Sequence, residues 1–141
     1  MTVMADILPT LATCIEMRQK LKGAASSACP ARGLVARTLE GRGLPAAVPA
    51  GELVVTELVA NAVKHTRCPV IVVKVTRLAQ DRTRIAVFDP SEERPVPGKP
   101  APEQEGGRGL TIIAAMAADW GVETRATGKW VWAELDAKGS W

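Results

Sequence analysis

The sequence predicts an α+β domain, a two-layer sandwich with a mostly antiparallel sheet and helices on one face. Three observations predict it. The stretches ELVVTELVANAVKHT and GLTIIAAMAAD are apolar at helical spacing. Two pairs of short β-branched or aromatic runs, VIVVKVT with TRIAVFD and VETRA with WVWAEL, read as hairpins. Their order along the chain is helices, hairpin, loop, helix, hairpin.

Composition bounds the function. A chain of 141 residues with 47% hydrophobic content supports one domain with a real core. The net charge of +3 is scattered, and one Phe, four Trp and no Tyr give little aromatic surface, which argues against direct nucleic-acid binding. Cys14, Cys29 and Cys68 form no C-x-x-C pair and one His is present, so the thiols read as reduced ones in a cytoplasmic protein. No cluster offers the four ligands of a structural zinc. The opening MTVMADILPTLATCIEMRQK lacks a basic segment before its apolar run and does not read as a secretory leader. The apolar runs read as too short to cross a membrane.

The elements follow in order. Residues 1–17 are a lead-in that no periodicity assigns, and the domain is placed at 18–141. Residues 18–22 alternate loosely, as an edge strand does. In 30–41, Leu34, Val35, Thr38 and Leu39 suit a helix closed by Gly41 and Gly43. Pro45 and Pro49 mark a linker. Residues 51–66 form the strongest helix, with Leu53, Val54, Leu58, Val59, Ala62 and Val63 in phase. Pro69 stops it. Residues 70–76 and 83–89 are strands about a turn at 78–82. Residues 90–108 hold five prolines and end in glycines, a long loop of the kind that carries function. Residues 109–119 are a second buried helix. Strands at 122–126 and 130–135 flank a Thr127-Gly128-Lys129 turn. Trp130 and Trp132 share one strand face, where core or dimer packing is expected.

Three features carry chemistry. Glu57, Asn61 and His65 are spaced four apart along one helix surface. They are either the solvated side of an amphipathic helix or a functional line. Asn is a poor mid-helix residue. Its amide oxygen can take one position of an octahedral Mg²⁺, and a carboxylate one turn earlier can accept a proton. The run Glu105-Gly106-Gly107-Arg108-Gly109-Leu110 enters a helix directly. It is either a hinge or a cradle for phosphate, since glycines allow close backbone approach and a helix N-terminus favours anions. It is neither a Walker loop nor a Rossmann turn. Asp89 closes a strand, and is either an Asp-Pro turn initiator or an acceptor for an adenine amino group.

Taken in order, ELVVTELVANAVKHT, IAVFDPS, GGRGLTIIAAMAADWGVE and WVWAEL resemble the GHKL ATPase superfamily. The likeness covers about residues 18–136 and is nearest to the single-domain anti-sigma regulatory kinases of actinobacterial type. It implies a Bergerat ATP-binding fold with ATP and Mg²⁺. By resemblance, Glu57 would be the general base and Asn61 the Mg²⁺ ligand, with His65 near the nucleotide. Asp89 would contact adenine. Gly106, Gly107, Arg108, Gly109 and Leu110 would lie against the phosphates, with 91–106 as a mobile lid. The implied partners are a sigma factor and an anti-anti-sigma protein of STAS type, whose serine would be phosphorylated. A homodimer through the sheet edge or the N-terminal segment is a family habit, and no membrane is implied. One departure stands out. The family places a glycine two residues after the aspartate, and here the run is Asp89-Pro90-Ser91. Proline fixes the backbone and removes an N–H. The competing reading is a non-catalytic partner-switching module that sequesters a sigma factor with weak or no nucleotide binding.

Overall fold

A computed structural model gives the structure and describes residues 16–65, 70–79, 81–90 and 107–136. The lead-in before residue 16 and the expected lid at 91–106 lie outside the described residues.

Strand β1 (Glu16–Lys22) starts two residues before its expected place and alternates exposed and half-buried positions. A short 3₁₀ turn, Ala25–Ser27, leads into α1 (Ala28–Gly41), with Pro30 in its first turn, where no intrahelical N–H is needed. Ala31, Leu34, Val35, Thr38 and Leu39 form its buried stripe. The Thr38 hydroxyl donates to the Leu34 carbonyl at 2.7 Å, which satisfies it within the core. Past the helix end Gly43 takes a φ of 75°, and Leu44 N–H donates to the Leu39 carbonyl at 2.9 Å. That left-handed step favours glycine.

The expected linker is helical. Pro45–Ala47 forms a 3₁₀ turn and α2 runs Val48–His65. Pro49 sits in the first turn, so it starts this helix rather than breaking it. The stretch Pro45–Lys64 is long and apolar enough to span a membrane by length and composition, contrary to the sequence expectation. Here Val54, Val55, Leu58, Val59 and Ala62 are at most 3% exposed, turned into the core. Where α1 crosses α2, a Cβ at Gly51 would stand 2.8 Å from Val35 Cγ1 and 2.9 Å from Leu39 Cδ1. Gly51→Ala gains about 1 kcal/mol of helix propensity, but overpacking a tight core costs about 1–3 kcal/mol. We expect a net loss of about 1 kcal/mol, read as a lower denaturant midpoint at unchanged slope.

The remaining elements are β2 (Val70–Ala79), β3 (Arg82–Asp89), α3 (Gly107–Met116), β4 (Asp119–Arg125) and β5 (Gly128–Asp136). Both hairpin strand pairs run longer than expected, and α3 starts and stops earlier, with Asp119 already in β4. The sheet is antiparallel throughout, in the order β1-β2-β3-β5-β4, with β1 on an edge as expected. Ile71, Val73, Val75, Ile85, Val87, Val131, Ala133 and Leu135 face the helices and build the core with α1 and α2. The architecture is therefore the α+β sandwich predicted from sequence.

The tryptophans narrow one expectation: of core or dimer packing, core packing does not hold for Trp130 and Trp132. Trp120 packs at the core margin. Trp130 and Trp132 do share a face of β5, alternating with the buried Val131 and Ala133, so that face is the one opposite the helices. Lys74 Nζ lies 4.1 Å over the Trp130 ring and the Arg84 guanidinium 4.0 Å over Trp132. Phe88 tilts against Trp130 at 5.0 Å. Arg82 and Arg84 both pair with the nearly buried Glu134, Arg82 at 3.0 Å. This outer face is closed by cation–π contacts and ion pairs.

Candidate functional site

Connectivity brings the candidate residues to one end of the sheet. Helix α2 ends at His65 and β2 begins at Val70, so the C-terminus of α2 stands where β2 starts. Strand β3 runs antiparallel to β2 with Phe88 opposite Val72, so Asp89 finishes at that same end. The C-terminus of α3 is tied to the other end. Ala118 N–H donates to the Glu134 carbonyl at 2.8 Å, and β4 begins at Asp119 opposite Glu134. The ten-residue helix α3, about 15 Å long, begins at Gly107 and packs against α2.

Glu57 and Asn61 are half-buried on α2. Among the described residues neither side chain makes a hydrogen bond or ion pair. Both are open to water or to a ligand. Helix α2 packs against α3 and against β3, the strand that carries Asp89. His65 is the last residue of α2. Its side chain and those of Arg108 and Leu110 lie outside what is described, as does Gly106. Gly107, Arg108, Gly109 and Leu110 form the first turn of α3.

Asp89 is 0% exposed and is more than a turn initiator. It shares the helix-facing side of β3 with Ile85 and Val87. Lys129, opposite it in the last rung of the β3–β5 ladder, donates from Nζ to Asp89 Oδ2 at 2.9 Å. A fully buried carboxylate without a countercharge is costly, and this ammonium offsets that cost. Sequence reading placed Lys129 in a turn and missed it. The signal was available: Lys129 is in phase with Val131, Ala133 and Leu135, so a charge stands at a core-facing position.

Gly128 completes the arrangement by close approach. A Cβ there would run into the Asp89 carbonyl oxygen and come within 2.7 Å of Pro90 Cα. Both obstacles are backbone, so neither can swing away. Gly128→Ala is expected to destabilise the fold by about 1–3 kcal/mol and to displace Asp89. A thermal melt reads the first effect and nucleotide titration the second.

The donor set fits an ion that arrives with phosphate. Among the described residues no group of three or more His, Cys, Asp or Glu could hold a metal. Mg²⁺ typically takes one or two protein oxygens and completes its octahedron with water and phosphate. The Asn61 amide can supply one such oxygen. The start of α3 offers backbone N–H groups and a favourable dipole to the anion itself.

Comparison with known proteins gives the family. An uncharacterized protein of Streptomyces coelicolor is 42% identical over 55 residues, 38% of this chain. The chain covers about half of that relative, 52% of its length. The profile of the histidine kinase-like ATPase domain matches residues 21–135, from the end of β1 to within one residue of the end of β5. The chain belongs to the histidine kinase-like ATPase domain family, a family of ATP-binding domains.

Proposed function

We propose that this protein is a cytoplasmic anti-sigma regulatory kinase that phosphorylates a serine or threonine on an anti-anti-sigma partner of STAS type. The same protein would sequester a sigma factor, and the two partners would compete for it. The observation that supports this reading is that the C-terminal end of α2, which carries Asn61, and the buried Asp89 lie at the same end of the sheet. Family membership makes ATP the ligand to place there.

The roles follow from the chemistry. Asp89 accepts a hydrogen bond from the adenine amino group. The α3 N-terminus, with Gly107 and Gly109, takes the phosphates. Asn61 holds Mg²⁺, which when bound neutralises charge on the phosphate oxygens. Glu57 accepts the proton of the attacking hydroxyl while its oxygen bonds to the γ-phosphorus and ADP leaves. Positioning and charge supply most of such catalysis.

Calorimetric titration with ATP, with and without Mg²⁺, tests the nucleotide half of this reading. Mg²⁺-dependent binding supports it, and no heat at millimolar ATP would sink it. Transfer of phosphate to a STAS-type partner tests the rest. Pro90 favours a second reading. It stands where the backbone leaves Asp89, ahead of a stretch without the family's glycine. A partner-switching module that sequesters a sigma factor without phosphotransfer would keep the fold and tolerate this change. Tight partner binding with no phosphoserine formed would select it.

A further inference from the structure

We propose that Lys129 is a positioning residue for base recognition, which sets the preference for a nucleobase bearing an exocyclic amino group by orienting the Asp89 carboxylate. The proposal rests on the nucleotide reading above. The Asp89 carboxyl is wholly buried and its torsion is of the broad, two-fold kind, so burial alone does not fix which oxygen points where. The Lys129 ammonium, 2.9 Å from Oδ2 and itself 13% exposed in its side chain, holds one of the two oxygens from the β5 side. The register makes the pair directly opposite across β3 and β5, and Gly128 lets the two backbones close on each other.

A carboxylate offers about four acceptor positions. The ammonium and a base amino group can therefore be held at once. Holding Oδ2 favours one direction for the rest of the group. Without Lys129, Oδ2 loses that hydrogen bond and the carboxylate is no longer held from the β5 side. Lys129 thus acts through Asp89 and only on ligands that engage Asp89. A merely structural ion pair between strands would instead affect every ligand alike.

The test uses the full chain and three ligands: ATP, the same triphosphate with unsubstituted purine, and inorganic tripolyphosphate. The wild type is expected to bind ATP about tenfold more tightly than the purine analogue, the worth of one hydrogen bond to a charged group. Lys129→Met is expected to lose that tenfold and to bind the analogue and tripolyphosphate as before. Because Lys129→Met can unfold the chain, a second comparison sets Asp89→Asn, in which the ammonium loses its carboxylate, against Asp89→Asn/Lys129→Met, which buries neither charge. Those two should bind ATP equally, since Lys129 has no carboxylate to orient. Equal losses for all three ligands, a retained amino preference in Lys129→Met, or a further ATP loss in the double variant would each overturn the proposal. A wild type that binds ATP without preferring the amino group overturns it too, leaving the nucleotide reading standing. A wild type that binds none of the three overturns both.

Discussion

Glu57→Ala is expected to lower phosphoryl transfer by about 10²–10⁴-fold, the usual contribution of a positioned general base. ATP affinity should stay within about twofold, because a base acts on the attacking hydroxyl and not on the bound nucleotide. The expectation comes from position. Glu57 is half-buried on an apolar helix and makes no hydrogen bond or ion pair among the described residues. A side chain of that kind contributes little to the fold, so its truncation reads on chemistry. Ala is also the better helix former, which removes unfolding as an explanation. ADP release is the measurement, with a serine-bearing partner or water as acceptor. Glu57→Gln keeps the shape but lacks the carboxylate, and should lose as much. Transfer at the native rate in both variants would remove Glu57 from the mechanism.

Asn61→Ala should erase the Mg²⁺-dependent part of ATP binding. Loss of even an outer-shell partner of a metal ligand costs about 10–100-fold, and loss of an inner ligand is expected to cost no less. In the absence of Mg²⁺ the variant and the wild type should bind ATP alike. The contrast matters because the fold is indifferent to the change: Ala exceeds Asn in helix propensity by roughly half a kcal/mol. Titrations at matched ionic strength, with and without Mg²⁺, read the difference. A Mg²⁺ effect that survives in the variant would place the ion elsewhere.

Much of this was legible in the sequence, for physical reasons. The stripe of α2 and the alternation in β2 and β3 are period signals that burial enforces. The boundaries were harder. Pro45 and Pro49 read as a linker because proline breaks helices, yet in a first turn it starts one. Asp119 read as the end of a helix, though the Ala118–Glu134 hydrogen bond already belongs to the sheet. At the site, Asn61 stood out as a polar residue out of place on a helix. Asp89 looked like a turn residue, because an Asp-Pro pair says nothing of what lies opposite. Lys129 escaped because its partner is 40 residues away in sequence and only strand register joins them. Which side of the sheet the tryptophans take depends on register in the same way. Trp130 and Trp132 are apolar by type, but the cations that cover them come from neighbouring strands.

The sheet order has a kinetic consequence. Strands β2 with β3, and β4 with β5, are hairpins of neighbours in sequence and can zip locally. The rung joining β3 to β5 cannot, since Asp89 must find Lys129 across the whole intervening segment. Closing such a loop comes after local structure, and its entropic penalty grows only logarithmically, by about 0.6 kcal/mol per doubling. The proposed adenine contact, Asp89, lies on that late seam. Evolution can therefore lengthen or rewrite the 90–106 connection at small thermodynamic cost, while any ligand that grips both sides of the seam acts as a clasp on the last step of folding.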